Sequence, residues 1–413
     1  MRTPAIALTA MYVASCSCSG PAASTAHTGP ADASTPPHDA SHAPPDAPSL
    51  PEPRESSIAD GPVEAPVPDA TIAPNMPGVW RNITPPQVTD LLGTDPCTDL
   101  QYDPSNRSTL FAMYGGLGIF KSTDDGATWT AIGNLPTPTS FGRLRIDPNN
   151  PLHLYASGSV EGSSLGFWVS NDGGNTWTIP AAFGAGANVT WSNDVYNIAV
   201  DPTDFNHFLL TFHQMSPSAG VVESTDGGST YAVHPLPSSA CYGNGIAFLY
   251  DPALGLGDKN TWLSGCGYGT GVYRTSDAGA SWTEVSPLQE DHGGFDAHYS
   301  TQGFLYIGYS SGVLRSTDNG LTWTPVTSGQ QSNWTYSVIS DGHNLYSSPA
   351  FVGQTYNLPF FVSPEGGSDE GAAWTAYSTQ ILPEGPWRMV FDSVNGIIYN
   401  AAWGGGAWAL TVK

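Results

Sequence analysis

The sequence predicts an all-β chain folded as a single seven-bladed β-propeller with four-stranded blades, its ring closed by an N-terminal strand and preceded by a disordered linker. Three observations carry that prediction. Only 12% of the 413 residues are Asp, Glu, Lys or Arg, while 47 are Gly and 11% are aromatic, a mixture that suits short strands and tight turns better than helices. A motif Ser/Thr-x-Asp-x-Gly-x-Thr/Ser-Trp/Tyr recurs at Ser122–Trp129, Ser170–Trp177, Ser224–Tyr231, Thr275–Trp282 and Ser316–Trp323. Seven apolar runs, each closing on an aspartate (Asp103, Asp147, Asp201, Asp251, Asp296, Asp341, Asp392), are spaced at the period expected of propeller blades.

Residues 1–15 have the layout of an export leader, with Arg2 as the only early charge and an apolar run Ala5–Ala14. That run is too short for a span, which needs about 20 residues. Val13-Ala14-Ser15-Cys16 resembles a bacterial lipobox, which makes Cys16 a lipidation site and the chain an exported outer-membrane or cell-surface lipoprotein; the other reading is an ordinary secretory leader. Residues 16–77 are rich in Ala, Pro, Ser and Asp and hold almost no large apolar side chain, so burial there does not offset the entropy of ordering. This stretch reads as a spacer, extended by its prolines.

From Gly78 to Lys413, each blade reads as inner strand, short turn, second strand, third strand, box and fourth strand. A sixth, degenerate box runs from Ser363 to Trp374 and includes Asp369. The seventh blade ends at the C-terminus without a fourth strand, and Trp80-Arg81-Asn82-Ile83-Thr84 matches the run that follows the other boxes. The N-terminus therefore supplies that strand and removes the open edge. The box aspartates Asp124, Asp172, Asp226, Asp277, Asp318 and Asp369 read as structural: Asp and Ser bond their own turn, Gly takes positive φ and the aromatic packs between sheets. Cys241, just before an inner strand, and Cys266, at the end of its antiparallel neighbour, are placed to form a disulfide; Cys97 is left as a thiol.

Counting four residues back from each closing aspartate gives Asp99, Arg143, Asn197, Ala247, His292, Ser337 and Arg388 at the channel mouth. The two arginines favour a carboxylate or other anion, and the ordinary alternative is a wet polar channel that needs no ligand. The loops of the same face carry the carboxylates Asp95, Asp194, Glu290, Asp291 and Glu384. They also carry His213 and the aromatics Tyr114, Trp191, Tyr268, Tyr309, Trp334, Trp387 and Trp403. Aromatic faces beside carboxylates suit sugar binding, so Arg143, Asn197, His292, Arg388, Tyr114, His213 and Trp403 are candidate ligand contacts. Asp99, Asp194, Glu290, Asp291 and Glu384 are the candidates for an acid/base pair.

The repeated boxes resemble those of the Asp-box (BNR) propellers, which include sialidases, two-propeller xyloglucanases, the sortilin luminal propeller and a photosystem II assembly propeller. The resemblance implies that the boxes lie on the face opposite the active site. A sialidase needs three clamping arginines, and only Arg143 and Arg388 stand at ring positions. Leu110-Phe111-Ala112-Met113-Tyr114-Gly115-Gly116-Leu117-Gly118 resembles the first-blade run of the xyloglucanases, with Gly115 where that family has its catalytic Asp. The resemblance thus leaves two functions open: a glycoside-hydrolase-like propeller that binds carbohydrate on its upper face, with or without cleaving it, or a non-catalytic peptide- or protein-binding propeller.

Of the 36 acidic and 12 basic residues, eight and two precede Gly78, leaving 28 and 10 in the propeller. That balance makes nucleic acid a poor partner and limits membrane contact to the lipid anchor. No clustered His/Cys spacing, phosphate loop or nucleophile elbow is present, so no metal or cofactor is expected, and the chain reads as a monomer. His234, His298 and His343 read as isolated surface or turn residues.

Overall fold

Apolar residues alternate with channel-facing polar ones along each inner strand, and it is the apolar set that makes the sheets stack face to face. Leu100, Leu144 and Ile198 are buried in this way. The computed structural model describes residues 76–412 apart from 93–94, 136–141, 159–165, 188, 214–219, 238–240, 242–244, 268, 290–293, 327–333, 351–356, 368–369 and 378–381. The leader, Cys16, the spacer up to residue 75, and Tyr268, Glu290, Asp291, His292 and Asp369 lie outside the described residues.

Among the described residues, seven antiparallel blade sheets follow one another in chain order, with a separate two-stranded pair of Asn357–Leu358 and Leu382–Pro383. Their inner strands are Cys97–Asp103, Gly142–Asp147, Val195–Asp201, Ile246–Asp251, His298–Tyr299, Val338–Ser340 and Arg388–Asp392. Closure is as expected: Trp80–Asn82 pairs antiparallel with Gly406–Thr411, Trp80 opposite Leu410, and forms the outer strand of blade 7. Trp80 is buried, and Arg81 donates to the Asp125 carbonyl of blade 1 at 3.0 Å, so the seam is tied on both sides. Blade 2 departs from the pattern, because its fourth strand is reduced to a single bridge between Val169 and Thr178.

The core is divided into one apolar layer between each pair of neighbouring blades. Phe111, Met113 and Ile119 of blade 1 meet Leu144, Leu154 and Trp168 of blade 2. Trp80, Ile398 and Leu410 of blade 7 meet Ile339 and Tyr346 of blade 6. A short helix, Ala181–Gly186, departs from the all-β reading and seats Phe183 against Trp191 and Tyr231 between blades 2 and 3.

The five complete boxes share one set of bonds. Asp226 accepts from Ser224 Oγ, Thr230 N and Thr230 Oγ1 at 3.0, 2.8 and 2.7 Å, and Asp124, Asp172, Asp277 and Asp318 repeat it. The bond from Ser281 and then that from Thr275 hold the Asp277 carboxyl down at about 2. The box glycine has positive φ, and so does the residue before it: Asp125, Gly173, Gly227, Ala278 or Asn319. A Cβ on Gly126 would stand 2.9 Å from Ile83, and one on Gly174 2.9 Å from Ile132. Each of these two boxes therefore rests on the outer strand of the preceding blade.

One inner strand differs from its sequence assignment. Blade 5 begins its strand at His298, two residues after Asp296, and turns back through Ser300, whose N–H donates to the Phe304 carbonyl at 2.9 Å. Asp296 is therefore not the closing aspartate of blade 5; it stands at the channel position that the sequence had given to His292. Nine residues separate Asp296 from Leu305 on the second strand, against seven from Asp103 to Leu110 and from Asp147 to Leu154. With Ser300 as the closing residue the gap becomes five, as it is from Asp392 to Ile397.

Candidate functional site

The upper end of the channel is a closed electrostatic cluster. Arg143 of blade 2 and Arg388 of blade 7 both reach Asp296 of blade 5, at 3.2 and 3.6 Å. Arg143 Nε also donates to Asn197 at 2.6 Å, and Arg388 Nη2 to the Gly294 carbonyl at 3.1 Å. Arg143, Asn197 and Arg388 are each about 2% exposed. Burial, followed by the like charge of Arg388, pulls the Arg143 pKa down, and burial does the same to Arg388. Asp296 moves the other way: burial works against its charge, but the two arginines outweigh that and lower its pKa. Both guanidinium groups share one aspartate, and their burial leaves them little reach toward an outside anion.

The remaining predicted residues separate into distinct surroundings. Asp99 is fully buried and accepts from Leu100 N, Gln101 Nε2 and Leu144 N, each at 2.8 Å, which fixes blade 1 to blade 2. Tyr114 lies in the core, its ring edge-on to Phe120, and is inaccessible to a ligand; the apolar spacing of its strand was the signal for this. Asp194 is buried at the top of blade 3 and meets His213 Nδ1 at 2.8 Å, while Asp194 Oδ1 has no partner among the described residues. His213 in turn stacks on Tyr196 at 4.7 Å.

Glu384 is buried with φ of 61°, and its Oε2 accepts from Gly404 N at 2.8 Å. A Cβ at position 404 would stand 2.7 Å from that carboxylate, so any larger residue there would push the Glu384 side chain aside. Beside it, Trp387 packs against Tyr336 at 4.1 Å and edge-on to Trp403 at 5.1 Å, with the Arg388 guanidinium 4.5 Å from the Trp387 ring. Trp334 joins the group through its carbonyl, which accepts from Ala350 N at 2.8 Å, and leaves 43% of itself exposed. This is the upper-face region where aromatic surface and a carboxylate occur together. Asp99, Asp194 and Glu384 are each buried among different partners, and the other two candidate carboxylates, Glu290 and Asp291, lie outside the described residues.

Cys241 and Cys266 are joined in a disulfide, and Cys97 is a buried thiol. The singly placed histidines are less isolated than their sequence positions suggest. His207 bridges Asp201 at 3.0 Å and Glu223 at 2.9 Å, and Glu223 also meets His234 at 2.9 Å, giving a four-residue chain on blade 3. Burial opposes protonation of His207, but the bonds to Glu223 and Asp201 outweigh it and raise its pKa. Burial also opposes the charge of Glu223, yet its two histidine partners bring it down to about 2. Strand alternation puts His207 and Glu223 on one face, but their cross-strand pairing needed the fold.

No family model matches the chain. A probable oligoxyloglucan-reducing end-specific xyloglucanase of Neosartorya fischeri is 33% identical over 155 residues, which cover 36% of this chain and 18% of that protein. A xyloglucanase of Hypocrea jecorina is 26% identical over 242 residues, covering 49% and 25%. The matches thus span a quarter or less of these relatives. Among solved structures, the GH74 xyloglucanase of Xanthomonas campestris superposes with a TM-score of 0.56 at 19% identity, over 81% of this chain and 54% of that one. YCF48 bound to D1 peptide superposes with a TM-score of 0.55 at 13% identity, over 84% and 100%. The chain is a seven-bladed β-propeller whose structural neighbours include GH74 xyloglucanases and YCF48.

Proposed function

We propose that this glycoside-hydrolase-like propeller binds carbohydrate on its upper face, at the aromatic group spanning blades 6 and 7. The observation that carries this reading is the half-exposed Trp334, whose carbonyl is bonded by Ala350 of the Tyr336–Trp387–Trp403 packing group, with the Glu384 carboxylate held at Gly404. A flat, exposed indole offers stacking surface to the C–H face of a sugar ring. The xyloglucanase relatives point to a β-glucan backbone as the first ligand class to try. The reading rests on binding and not on catalysis, since Gly115 stands in place of the xyloglucanase aspartate.

A panel of xyloglucan and cello-oligosaccharides, scored for both binding and release of reducing ends, tests the reading on the full chain. Binding that drops about tenfold in Trp334→Ala supports it. Absence of binding to every glycan, or binding indifferent to both Trp334→Ala and Trp403→Ala, overturns it. A peptide-binding role is the second reading, favoured by one observation: the chain covers the whole length of a propeller solved with a bound peptide, but about half of the xyloglucanase. The proposal includes export, tethering through Cys16 and a monomeric state. Fatty-acid labelling that persists in Cys16→Ala would remove the anchor.

A further inference from the structure

Below the closed cluster the channel opens again, toward the face that carries the boxes. A cavity of about 440 Å³ there is lined by Gln101, Arg145, His298, Ser340, Met389 and Phe391, among others. A second, of about 270 Å³, is lined by Arg145, Asp296 and Tyr299 among others. Arg145 borders both. It stands two residues beyond Arg143 on the inner strand of blade 2, so strand alternation turns both side chains into the channel, one above the other.

Among the described residues, the ion-pair partners of Arg143, Arg145 and Arg388 are Asp99 and Asp296, two carboxylates for three guanidinium groups. Asp296 is occupied by Arg143 and Arg388, and Asp99 by three stronger donors than Arg145, which lies 3.4 Å from it. Arg145 uses Nη1 alone, toward Asp99 and the Leu144 carbonyl. Its Nε and Nη2 have no partner among the described residues. Those two atoms form the edge of a guanidinium whose parallel N–H bonds match the two oxygens of a carboxylate.

The larger cavity adds a second donor. His298 Nε2 is buried there without a partner among the described residues. Burial lowers the His298 pKa to about 4, against weaker opposition from Glu365 and Asp251, so the ring is neutral at pH 7 and one tautomer presents an N–H at Nε2. Glu365 is itself engaged by Thr301 and Ser340 Oγ, and Asp251 by Ala253 N and Leu254 N. We propose that the lower half of the channel is a binding site for a carboxylate group, gripped by the Nε–Nη2 edge of Arg145 with His298 as the second donor. A carboxylate would give the Arg145 fork a partner of its own, and the cavity has room for the body that bears it. The site is on the box side of the closed cluster, so it stands or falls independently of the aromatic group above.

The test is calorimetric titration of the full chain at constant ionic strength with sodium acetate, with acetamide and sodium chloride as controls. A short glycine peptide with a free or an amidated C-terminus forms the second arm. Saturable binding of acetate, of the free-acid peptide, or of both is expected, with none for acetamide, chloride or the amidated peptide. Acetate alone would mark a free small acid as the source, and the free-acid peptide alone a chain terminus. Arg145→Gln should abolish the response. Arg145→Lys keeps the charge but loses the fork, and should weaken binding about tenfold or more; it decides the matter if the Gln variant fails to fold. Equal responses to acetate and chloride together with equal responses to the two peptides, or binding unchanged in Arg145→Lys, would overturn the proposal.

Discussion

The box hairpins and the upper channel cluster both hold the propeller together, but in opposite ways. Each box repeats the same local bonds within eight residues, so five copies share one geometry and any of them is replaceable in kind. The channel cluster has no repeat: blades 2, 3, 5 and 7 each contribute a different side chain, and the cluster exists only because the ring is closed. Repetition builds the scaffold, and chemistry begins where the repeat is broken.

The largest effect that would sharpen this contrast is expected at Asp296. Asp296→Ala leaves Arg143 and Arg388 buried against each other, and should cost about 3–5 kcal/mol in urea unfolding. A cost near zero would mean that water or a bound anion already serves those arginines.

The blade 3 chain lies between the two extremes, being local to one sheet yet charged, and its test is the pH dependence of stability. Glu223 is depressed to about 2, so its contribution is present above the unfolded carboxyl value of about 4.5 and is lost as pH falls toward 2. His207 is raised, so its contribution is complete below about 6.5 and is lost as pH rises through the folded value. Unfolding followed across pH should therefore show maximal support from this chain between those limits, and Glu223→Gln should flatten both limbs. A profile unchanged by that substitution would exclude the chain as a stabilising element.

Smaller still, and equal from blade to blade, should be the loss of a box aspartate. Asp226→Ala removes three hydrogen bonds at an exposed turn, at about 1–2 kcal/mol. The same change at Asp124 and Asp318 should match it. Widely different costs would break the view that the boxes are interchangeable. The smallest effect, and the one of opposite sign, is expected at Ala278, which holds φ of 54° where blades 2 and 3 have Gly173 and Gly227. Ala278→Gly should raise the melting temperature through a gain of under about 1 kcal/mol, the relief of left-handed strain less the extra freedom of the unfolded chain. A fall would show that the Ala278 methyl is needed where it packs near Trp262 and Trp282.

The blade count, the N-terminal closing strand and the Cys241–Cys266 pair were legible in the sequence because each rests on spacing along the chain. Asp296 shows where that method stops. Counting from a closing aspartate assumes that every blade ends its inner strand the same way, and blade 5 ends on Ser300 instead. Trp334, Trp387 and Trp403 were legible as a set of upper-loop aromatics, but the packing of Tyr336, Trp387 and Trp403 across blades 6 and 7 was not, since it is made between blades.

What the sequence by itself determined is the periodic part: strands, turns and boxes whose bonds close over a few residues, so that local patterning specifies them. What only the tertiary structure decided is which charges meet. Arg143 and Arg145 are chemically alike and two residues apart, yet one is paired within a buried cluster and the other presents a vacant guanidinium edge to a cavity. That difference is set by residues 46 to 153 positions away in the chain, brought within hydrogen-bonding or ion-pairing range by ring closure. An interaction energy that depends on such distances leaves no periodic trace in the sequence.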